Sequence, residues 1–408
     1  MNKKKRILVV YTSFEFCGGV ERFLLNFLNA FDKEQYSIDL LLFNDKQDHS
    51  KMFDMIPKHV QILPFLKQYS TWTPELMQEL RDSEKSHMAE VKDFIHYRNL
   101  DKDYKKLPQG MRDNLNWDRL QTICPSYYGY DFAVALTNTL PLKIVADKVF
   151  AKKKYAFVHL DLNAEIEKGG RLKDAVLAEQ FYYSKMDNIF CLTEQNVRSF
   201  TNIFPDFFKK TDVLANVYNR NDVLNQATAF YPLEYYSDKT NILTVARVHK
   251  QKGIKLLLET AHKLKNVVDF CWFILGCFHS NEYYKECIEL GNSLDVTDQI
   301  VYLGERANPF PYYQYCDLYV QTSIYEGRCL SLEEARMLNC PIVTTNFTSV
   351  YDQITDGING RICEMSPESL SCVIEEVLCT KEERERLTQS NNSYFGNNWI
   401  EKYRHYFS

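Results

Sequence analysis

The sequence predicts an α/β fold with two doubly wound, Rossmann-like domains that face each other across a cleft. Three observations support this prediction: the chain has 408 residues, short β-branched runs occur in two separate series, and amphipathic helical patterns separate the runs. This length suits two domains, and strands that alternate with helices form parallel sheets. Because ligands bind such sheets beyond the carboxyl ends of the strands, we expect a ligand site in the cleft.

The first series of strands begins near the N-terminus. An apolar run at 6–12, the Gly18–Gly19 turn, an amphipathic helix and a second run at 36–43 make the pattern of a parallel βαβ unit. Further strands of this series are predicted at 131–137, 154–160 and 188–193. We assign the first domain to residues 1–222, and we expect residues 66–125, which are rich in charge and in Tyr and Trp, to form a mainly helical insertion.

The second series of strands begins at residue 240, after a segment at 223–239 that has no steady period and is interpreted as a linker. Its predicted strands lie at 240–248, 269–277, 299–304, 318–323 and 340–346. We assign the second domain to residues 240–385. In the remaining segment, 386–408, aromatic residues recur at helical spacing, so we expect a helical tail.

Composition and charge restrict the class of protein. Hydrophobic residues make up 45% and charged residues 25% of the chain, as in ordinary soluble domains. The net charge of −5 argues against binding of bulk nucleic acid. The twelve cysteines include no C-x-x-C pair, no secretory core follows Met1, and no window reaches the roughly 18 apolar residues of a membrane span. We therefore expect a cytoplasmic enzyme with reduced thiols.

Two turns that follow predicted strands are candidates for anion binding. The Gly18–Gly19 pair opens a helix, where glycine lets a ligand approach the backbone and the helix N-terminus favours anions. Arg247 and Lys252 follow the first strand of the second domain, and two cations across a turn can hold a diphosphate. Taken one at a time, an ordinary tight turn explains the first feature as well, and a solvated loop explains the second better.

Two acids and a histidine complete the candidate site. In the stretch YEGRCLSLEEA, Glu326 ends a strand and Glu334 lies in the first turn of the next helix, so the two carboxylates could each accept polyol hydroxyls. The peptide N–H groups at 329–331 lie between the acids and could take a phosphate. Acids in a first helical turn also complement the helix dipole without any ligand. His159 with Asp161 is either a polar pair at the cleft or, more commonly on an apolar strand, a core residue.

Taken together, these motifs resemble those of the GT-B glycosyltransferases of family 4, the group 1 glycosyl transferases. The stretch TVARVHKQKG is similar to the family's R-x4-K-G phosphate motif, with Arg247 and Lys252 in register. The stretch SIYEGRCLSLEEA is similar to its E-x7-E motif, with Glu326 and Glu334 as the acids. CGGVERFLLNF resembles the N-terminal donor-phosphate loop, and the continuation to about residue 363 resembles capsule and exopolysaccharide enzymes.

The resemblance implies a retaining, metal-independent glycosyltransferase that needs no cofactor. It would move a hexose or N-acetylhexosamine from a nucleotide sugar, most often UDP-linked, to a saccharide or lipid-linked acceptor in bacterial surface polysaccharide synthesis. The implied catalytic residues are Glu326, His159, Arg247 and Lys252. The implied donor-binding residues are Gly18, Gly19, Arg247, Lys252, Glu326, Gly327, Cys329, Leu330, Ser331 and Glu334.

Each of these residues has an implied role. Glu326 would hold sugar hydroxyls and Glu334 the ribose hydroxyls, while the cations and the N–H groups at 330–331 would stabilise the leaving diphosphate. Gly19 would let the N-terminal loop close on the donor. Because such a tail crosses back in the fold that the resemblance implies, we expect the helical tail at 386–408 to pack on the first domain. The chain departs from the family pattern at Arg328, where a Phe or a small residue is common, and at Ala246, where Gly is usual.

Other interpretations of the sequence stay open. A non-catalytic nucleotide-sugar-binding partner subunit or an epimerase of the same fold are alternatives, although the acid and cation pairs are intact. A metal-dependent transferase would use a D-x-D pair. Asp101 and Asp103 form one, but they lie in a Lys-rich segment and are interpreted as solvated charge. Acceptor recognition, and contact with an anionic membrane at the inner face of the cell membrane, are expected in the first domain, through 66–125 and Lys152–Lys154.

Overall fold

The computed structural model describes residues 3–14, 18–43, 52–63, 108–121, 124–278, 281–389 and 399–408. These residues contain two parallel β-sheets, one of seven strands and one of six, with helices packed against each sheet. The first sheet ends at residue 213 and the second begins at residue 240. The predicted class, two doubly wound α/β domains in tandem, is confirmed.

The first sheet has the strand order β3-β2-β1-β4-β5-β6-β7, and all its neighbours are parallel. Its strands are β1 Lys5–Tyr11, β2 Tyr36–Leu42, β3 Gln61–Ile62, β4 Tyr127–Ala135, β5 Val149–Val158, β6 Asn188–Cys191 and β7 Thr211–Val213. Alternate residues of β1 enter opposite cores, with Leu8 and Val10 on one side and Val9 on the other. The sequence does not predict β3 and β7, because two or three residues carry no measurable period.

The helices of the first domain begin with α1, which leads from β1 towards β2. The set is α1 Gly19–Asn29, α2 Gln109–Leu120, α3 Leu140–Lys148, α4 Leu162–Glu167, α5 Lys173–Leu177, α6 Gln180–Ser184 and α7 Glu194–Ile203, with 3-10 turns at Phe53–Met55 and Pro205–Lys210. In α1, Phe23, Phe27 and Leu24 recur at helical spacing and are buried against the sheet. The helix therefore holds the Gly18–Gly19 turn at a fixed place above β1.

Only part of the predicted insertion at 66–125 falls within the described residues. There, residues 109–120 form α2, and its Trp117 enters the first core, where the indole N–H donates to Asp147 Oδ2 at 2.6 Å. The part at 66–107 lies outside the described residues.

The second sheet has the order β10-β9-β8-β11-β12-β13, again with parallel neighbours. Its strands are β8 Thr240–Val245, β9 Phe270–Leu275, β10 Ile300–Gly304, β11 Leu318–Gln321, β12 Ile342–Thr345 and β13 Arg361–Cys363. Its helices are α8 Arg220–Ala227, α9 Ile254–Leu264, α10 Asn281–Ser293, α11 Phe310–Tyr315, α12 Leu330–Met337, α13 Pro367–Cys379 and α14 Lys381–Gln389, with 3-10 turns at Lys250–Lys252, Thr297–Gln299 and Thr348–Asp352. The order reverses at β8 and β11, which is where such sheets bind ligands.

The segment interpreted as a linker, 223–239, is partly helical. It begins inside α8, whose Val223 and Ala227 belong to a core of the second domain, together with Tyr235 further along the segment. Helix α8 is too short to give a clear helical period. The sequence analysis therefore begins the second domain at residue 240, although α8 already packs in its core.

The C-terminal helix α15, Trp399–Tyr406, crosses back to the first domain. Tyr403 and Phe407 are buried in a first-domain core, and Tyr403 Oη donates to the carbonyl of Ala215 at 3.1 Å. Lys402 also reaches Asp212 at 2.8 Å. The predicted return of the tail is confirmed, and it ties the end of the second domain to the sheet of the first.

Two features bear on the expected membrane contact. No helix within the described ranges is long and apolar enough to cross a membrane. In the basic run on β5, Lys152 pairs with Asp131 at 2.7 Å and Lys153 with Asp187 at 3.1 Å. These lysines therefore have acidic neighbours, which reduces the positive charge that they present.

The tail should contribute strongly to stability. Phe407 has no exposed surface, so Phe407→Ala should lower the free energy of unfolding by about 3–5 kcal/mol through lost burial and a residual cavity. Urea denaturation measures this loss. Arg404→Ala on the exposed side of the same helix is the control and should change stability little. Equal losses in the two variants would contradict the packing role.

Candidate functional site

A cavity of about 280 Å³ opens between the two domains, at the carboxyl ends of their strands. Both domains contribute to its walls. Of the residues predicted from the sequence, those that line it are Gly18, Gly19, His159, Arg247, Lys252, Glu326, Leu330, Ser331 and Glu334. The structure therefore brings together side chains that are up to 316 positions apart in the sequence, counted from Gly18 to Glu334.

Two predicted residues, Gly327 and Cys329, lie behind the cavity wall rather than on it. A Cβ on Gly327 would overlap the backbone carbonyl of His159 in the first domain, so the backbones of the two domains lie close together at this position. The N–H of Cys329 donates to Gln353 Oε1 at 2.9 Å. The N–H of Cys329, predicted to contact a phosphate, is therefore already bonded to the side chain of Gln353. The N–H groups of Leu330 and Ser331, at the start of α12, remain as the candidate phosphate donors.

Glu326 is buried and forms an ion pair with Lys252. Its Oε1 also accepts a hydrogen bond from Ser323 Oγ at 2.7 Å. Burying an acid is costly unless it is paired and hydrogen-bonded, and both conditions are met here. The pair joins the R-x4-K loop after β8 to the end of β11, and it fixes both charges at the cavity.

Glu334 is held by three side chains that sequence spacing cannot connect with it. Arg22 Nε lies 3.7 Å from Oε1, Tyr313 Oη donates to Oε2 at 3.0 Å, and Tyr218 Oη donates to Oε1 at 3.4 Å. Burial raises the pKa of Glu334, while Arg22 and the two hydroxyls oppose the rise. Arg22 comes from α1 of the first domain, so this acid also links the domains.

The neighbouring acid, Glu333, has a different role. Arg328 binds it with two nitrogens, Nη2 to Oε1 at 2.9 Å and Nε to Oε2 at 3.1 Å, and both residues are buried. Arg328 lines the cavity and also reaches the carbonyl of Leu192 in the first domain at 3.5 Å. The departure from the family pattern at Arg328 thus creates a buried ion pair beside the cavity and a contact between the domains.

The R-x4-K-G loop depends on Gly253. This residue has φ 66°, in the left-handed region, and a Cβ there would overlap the carbonyl oxygen of Thr322. The glycine lets the loop turn tightly into α9 and directs Lys252 towards Glu326. Arg247 lies at the other end of the loop, and its side chain is 3.8 Å from the position that a Cβ on Gly18 would occupy.

His159 lines the cavity in a fixed orientation. Its Nε2 is 2.8 Å from the carbonyl oxygen of Leu136, which can only accept, so Nε2 carries the proton. Burial lowers its pKa to about 4, so the ring is neutral at physiological pH with Nδ1 unprotonated. Asp161 accepts N–H of Ala164 at 3.0 Å as the N-cap of α4, so it is a structural residue and not a partner of His159.

The sequence prediction misses polar residues of the first-domain wall. Thr137 and Asn138 line the cavity directly after β4, and their position after a strand could have identified them. The next residue, Thr139, has φ 63° and ψ −123°, a conformation that a β-branched residue rarely adopts. Its N–H donates to Glu179 Oε1 at 2.9 Å, and Glu179 in turn pairs with Arg171 at 2.7 Å.

Asp101 and Asp103 lie outside the described residues. In the part of the chain that the structure covers, no group of three or more His, Cys, Asp or Glu side chains is arranged to hold a metal ion.

The second domain matches a known family. A model of the family described as glycosyl transferases group 1 matches residues 226–393, which contain the R-x4-K-G and E-x7-E motifs. A Campylobacter jejuni relative is 28% identical over 188 residues, which are 46% of this chain and 49% of that protein. Its name is N-acetylgalactosamine-N,N'-diacetylbacillosaminyl-diphospho-undecaprenol 4-alpha-N-acetylgalactosaminyltransferase. The chain spans less than half the length of this and the other curated relatives it matches.

Solved structures extend the likeness to the whole fold. HepE of Anabaena, in complex with UDP-glucose, has a TM-score of 0.69 and 15% identity, over 98% of each chain. A mutant of TarM from S. aureus, in a complex that includes UDP, has a TM-score of 0.70 and 12% identity, over 99% of this chain and 100% of that one. At such low identity these likenesses establish the fold. The family model thus assigns residues 226–393 to the group 1 glycosyl transferases, and the solved structures show the GT-B fold over nearly the whole chain.

The loop glycine can be tested against a matched glycine. Gly253→Ala combines a left-handed backbone with an overlap on Thr322, whereas Gly304→Ala has the same backbone, φ 67°, with no atom within 4 Å of the new Cβ. Gly304→Ala should cost about 1–2 kcal/mol of unfolding free energy, and Gly253→Ala should cost clearly more. Urea denaturation gives both values. A similar cost for the two variants would refute the close packing of the loop.

Proposed function

We propose that the protein transfers a hexose or N-acetylhexosamine from a UDP-sugar to a saccharide or lipid-linked saccharide, with retention of anomeric configuration and without a metal or other cofactor. The observation that carries the proposal is the convergence in one cavity of two cations, a helix N-terminus and two buried acids from the second domain with Gly18, Gly19 and His159 from the first. Each element alone has an ordinary structural explanation, but their meeting at the carboxyl ends of both sheets supports a ligand site.

The donor side of the cavity suits a nucleoside diphosphate. Departure of a diphosphate develops negative charge, and fixed donors that face this charge stabilise the transition state more than the ground state. Arg247, Lys252 and the N–H groups at the start of α12 are positioned for this role. Because these groups can supply the charge that a metal supplies elsewhere, the proposed reaction needs no metal.

The two acids of the E-x7-E motif suit the two ends of the donor. Glu326, beside Lys252, is assigned to hydroxyls of the transferred sugar, and Glu334, beside Tyr218, to hydroxyls of the ribose. His159, neutral and with Nδ1 unprotonated, is assigned to the region of the anomeric carbon. The UDP and UDP-glucose in the structural neighbours support uridine as the nucleoside.

The acceptor is assigned to the first-domain wall. Thr137 and Asn138 line the cavity beside His159, and the strained Thr139 is held by a buried carboxylate, as expected of a loop that is kept in place for binding. The name of the Campylobacter relative includes a diphospho-undecaprenol acceptor, which supports a lipid-linked saccharide here. We therefore place the protein in bacterial surface polysaccharide synthesis, such as capsule formation, at the cytoplasmic face of the membrane.

Nucleotide binding is the first test. UDP at about 100 times its dissociation constant should stabilise the protein by about 2.7 kcal/mol, which thermal melting detects, while GDP and ADP should give smaller shifts. The UDP shift should be reduced in Arg247→Ala and in Glu334→Gln, each compared with its own melting temperature without nucleotide. Glu368→Gln, at an exposed acid, is the control. No shift with any nucleotide would contradict the donor site.

Transfer itself is tested with defined substrates. UDP-glucose and UDP-N-acetylglucosamine are incubated with octyl glycosides in EDTA, and NMR of the product should show an α-linkage, because the donors are α-linked and the configuration is retained. Asn138→Ala should raise KM for the octyl glycoside about tenfold, as expected for one lost hydrogen bond, and leave KM for the donor unchanged. A β-linked product would contradict retention, and an unchanged acceptor KM would contradict the acceptor assignment.

A further inference from the structure

A buried acid, Glu21, lies directly behind the Gly18–Gly19 turn. It is the third residue of α1 and is only 7% exposed. Its Oε1 accepts a hydrogen bond from Tyr11 Oη at 2.5 Å, and its carboxylate also accepts one from the N–H of Gly18. The acid therefore folds back onto the N-terminus of its own helix, as in a capping box.

Glu21 does not line the cavity, but its neighbours do. Gly18 and Arg247 both lie on the wall. The Oε2 atom of Glu21 is 2.6 Å from the position that a Cβ on Gly18 would occupy, and the Arg247 side chain is 3.8 Å from the same position. The carboxyl group thus lies behind the turn that the donor phosphates are proposed to approach, close enough for Arg247 to act on its charge.

Among the described residues, the charged and titratable side chains with the largest effects on Glu21 come from two elements. Tyr11 faces it from β1, and Arg247 faces it from the loop after β8. The next residue of its own helix, Arg22, is directed to Glu334 instead. Burial raises the pKa of Glu21, while the hydrogen bond from Tyr11, the Gly18 N–H and the charge of Arg247 oppose the rise.

An ionised Glu21 and a bound diphosphate would compete for the same positive groups. Both would be stabilised by the charge of Arg247 and by the N-terminus of α1. A second negative charge brought close to a carboxylate favours the protonated carboxyl group. Because Glu21 is buried and poorly solvated, water cannot screen its repulsion from the diphosphate. Protonation of Glu21 removes this repulsion.

We propose that Glu21 is a positioning residue that binds one proton when a nucleoside diphosphate occupies the cavity. In the empty protein, the ionised Glu21 holds the Gly18 turn and Arg247 in place. In the complex, Glu21 is neutral, and the positive charge of Arg247 interacts with the diphosphate instead. This inference rests on the proposed function, because it requires the diphosphate at the Gly18–Arg247 end of the cavity.

The consequence is a linkage between nucleotide affinity and pH. Uptake of a proton on binding makes the affinity fall as pH rises, by up to tenfold per pH unit across the interval between the pKa of Glu21 in the free protein and its higher pKa in the complex. Above pH 7 the terminal phosphate of UDP is almost fully ionised, so in that range its own titration adds little.

Isothermal titration calorimetry with UDP tests this linkage. Titrations at pH 7.0–9.0 in two buffers of different ionisation enthalpy give the number of protons taken up and the dissociation constant. The wild type should take up a fraction of a proton per UDP and bind more weakly as pH rises. Glu21→Gln keeps the size and the hydrogen-bond acceptor of the side chain but cannot ionise, so its proton uptake should vanish and its affinity should become nearly independent of pH.

A second buried acid provides the matched control. Burial raises the pKa of Glu165 to about 7, and this residue does not line the cavity, so Glu165→Gln should behave as the wild type does. Tyr11→Phe, which keeps the ionisable acid, should retain proton uptake even if Glu21→Gln folds poorly. Proton uptake that persists in Glu21→Gln would overturn this inference but not the proposed function. So would a wild type that binds UDP without taking up a proton. Failure of the wild type to bind UDP would contradict both this inference and the proposed function.

Discussion

The buried ion pair between Lys252 and Glu326 is the interaction on which the arrangement of the cavity depends. It joins the loop after β8 to the end of β11, the two central strands of the second sheet, where the strand order reverses. Removing either partner would leave an uncompensated charge out of water, which is far more costly than losing a surface ion pair. Gly253 and Ser323 support this pair. Gly253 allows the tight turn of the loop, and Ser323 donates a hydrogen bond to Glu326.

Other buried acids around the cavity are also paired with cations. Glu334 is neutralised by Arg22 across the domain boundary, Glu333 by Arg328, and Glu326 by Lys252. A cavity built from opposite charges in this way is stable when empty, and an anionic ligand can enter by replacing an acid as the partner of a cation. Two of these cations also contact the other domain, so the electrostatics of the site and the relative position of the domains depend on each other.

Much of the architecture is predictable from the sequence because its signals are local. β-branched runs such as β1 and β8 alternate with amphipathic helices such as α1 and α9, and this pattern allows few arrangements other than parallel sheets. Arg247 with Lys252, and Glu326 with Glu334, are recognisable because each pair lies within one short stretch. Aromatic spacing predicts a helical tail, the resemblance implies its return to the first domain, and Phe407 packs there.

What only the tertiary structure decides is which distant groups meet, because contacts between loops of different strands leave no period in the sequence. The sequence by itself determines the two domains, the ligand edge of each sheet and the paired motifs. It does not reveal that Arg22 and Tyr218 hold Glu334, that Gln353 occupies the N–H of Cys329, or that Asp161 caps a helix instead of accompanying His159. These contacts depend on the packing of whole elements, and that packing determines which charges are solvated and which are buried and paired.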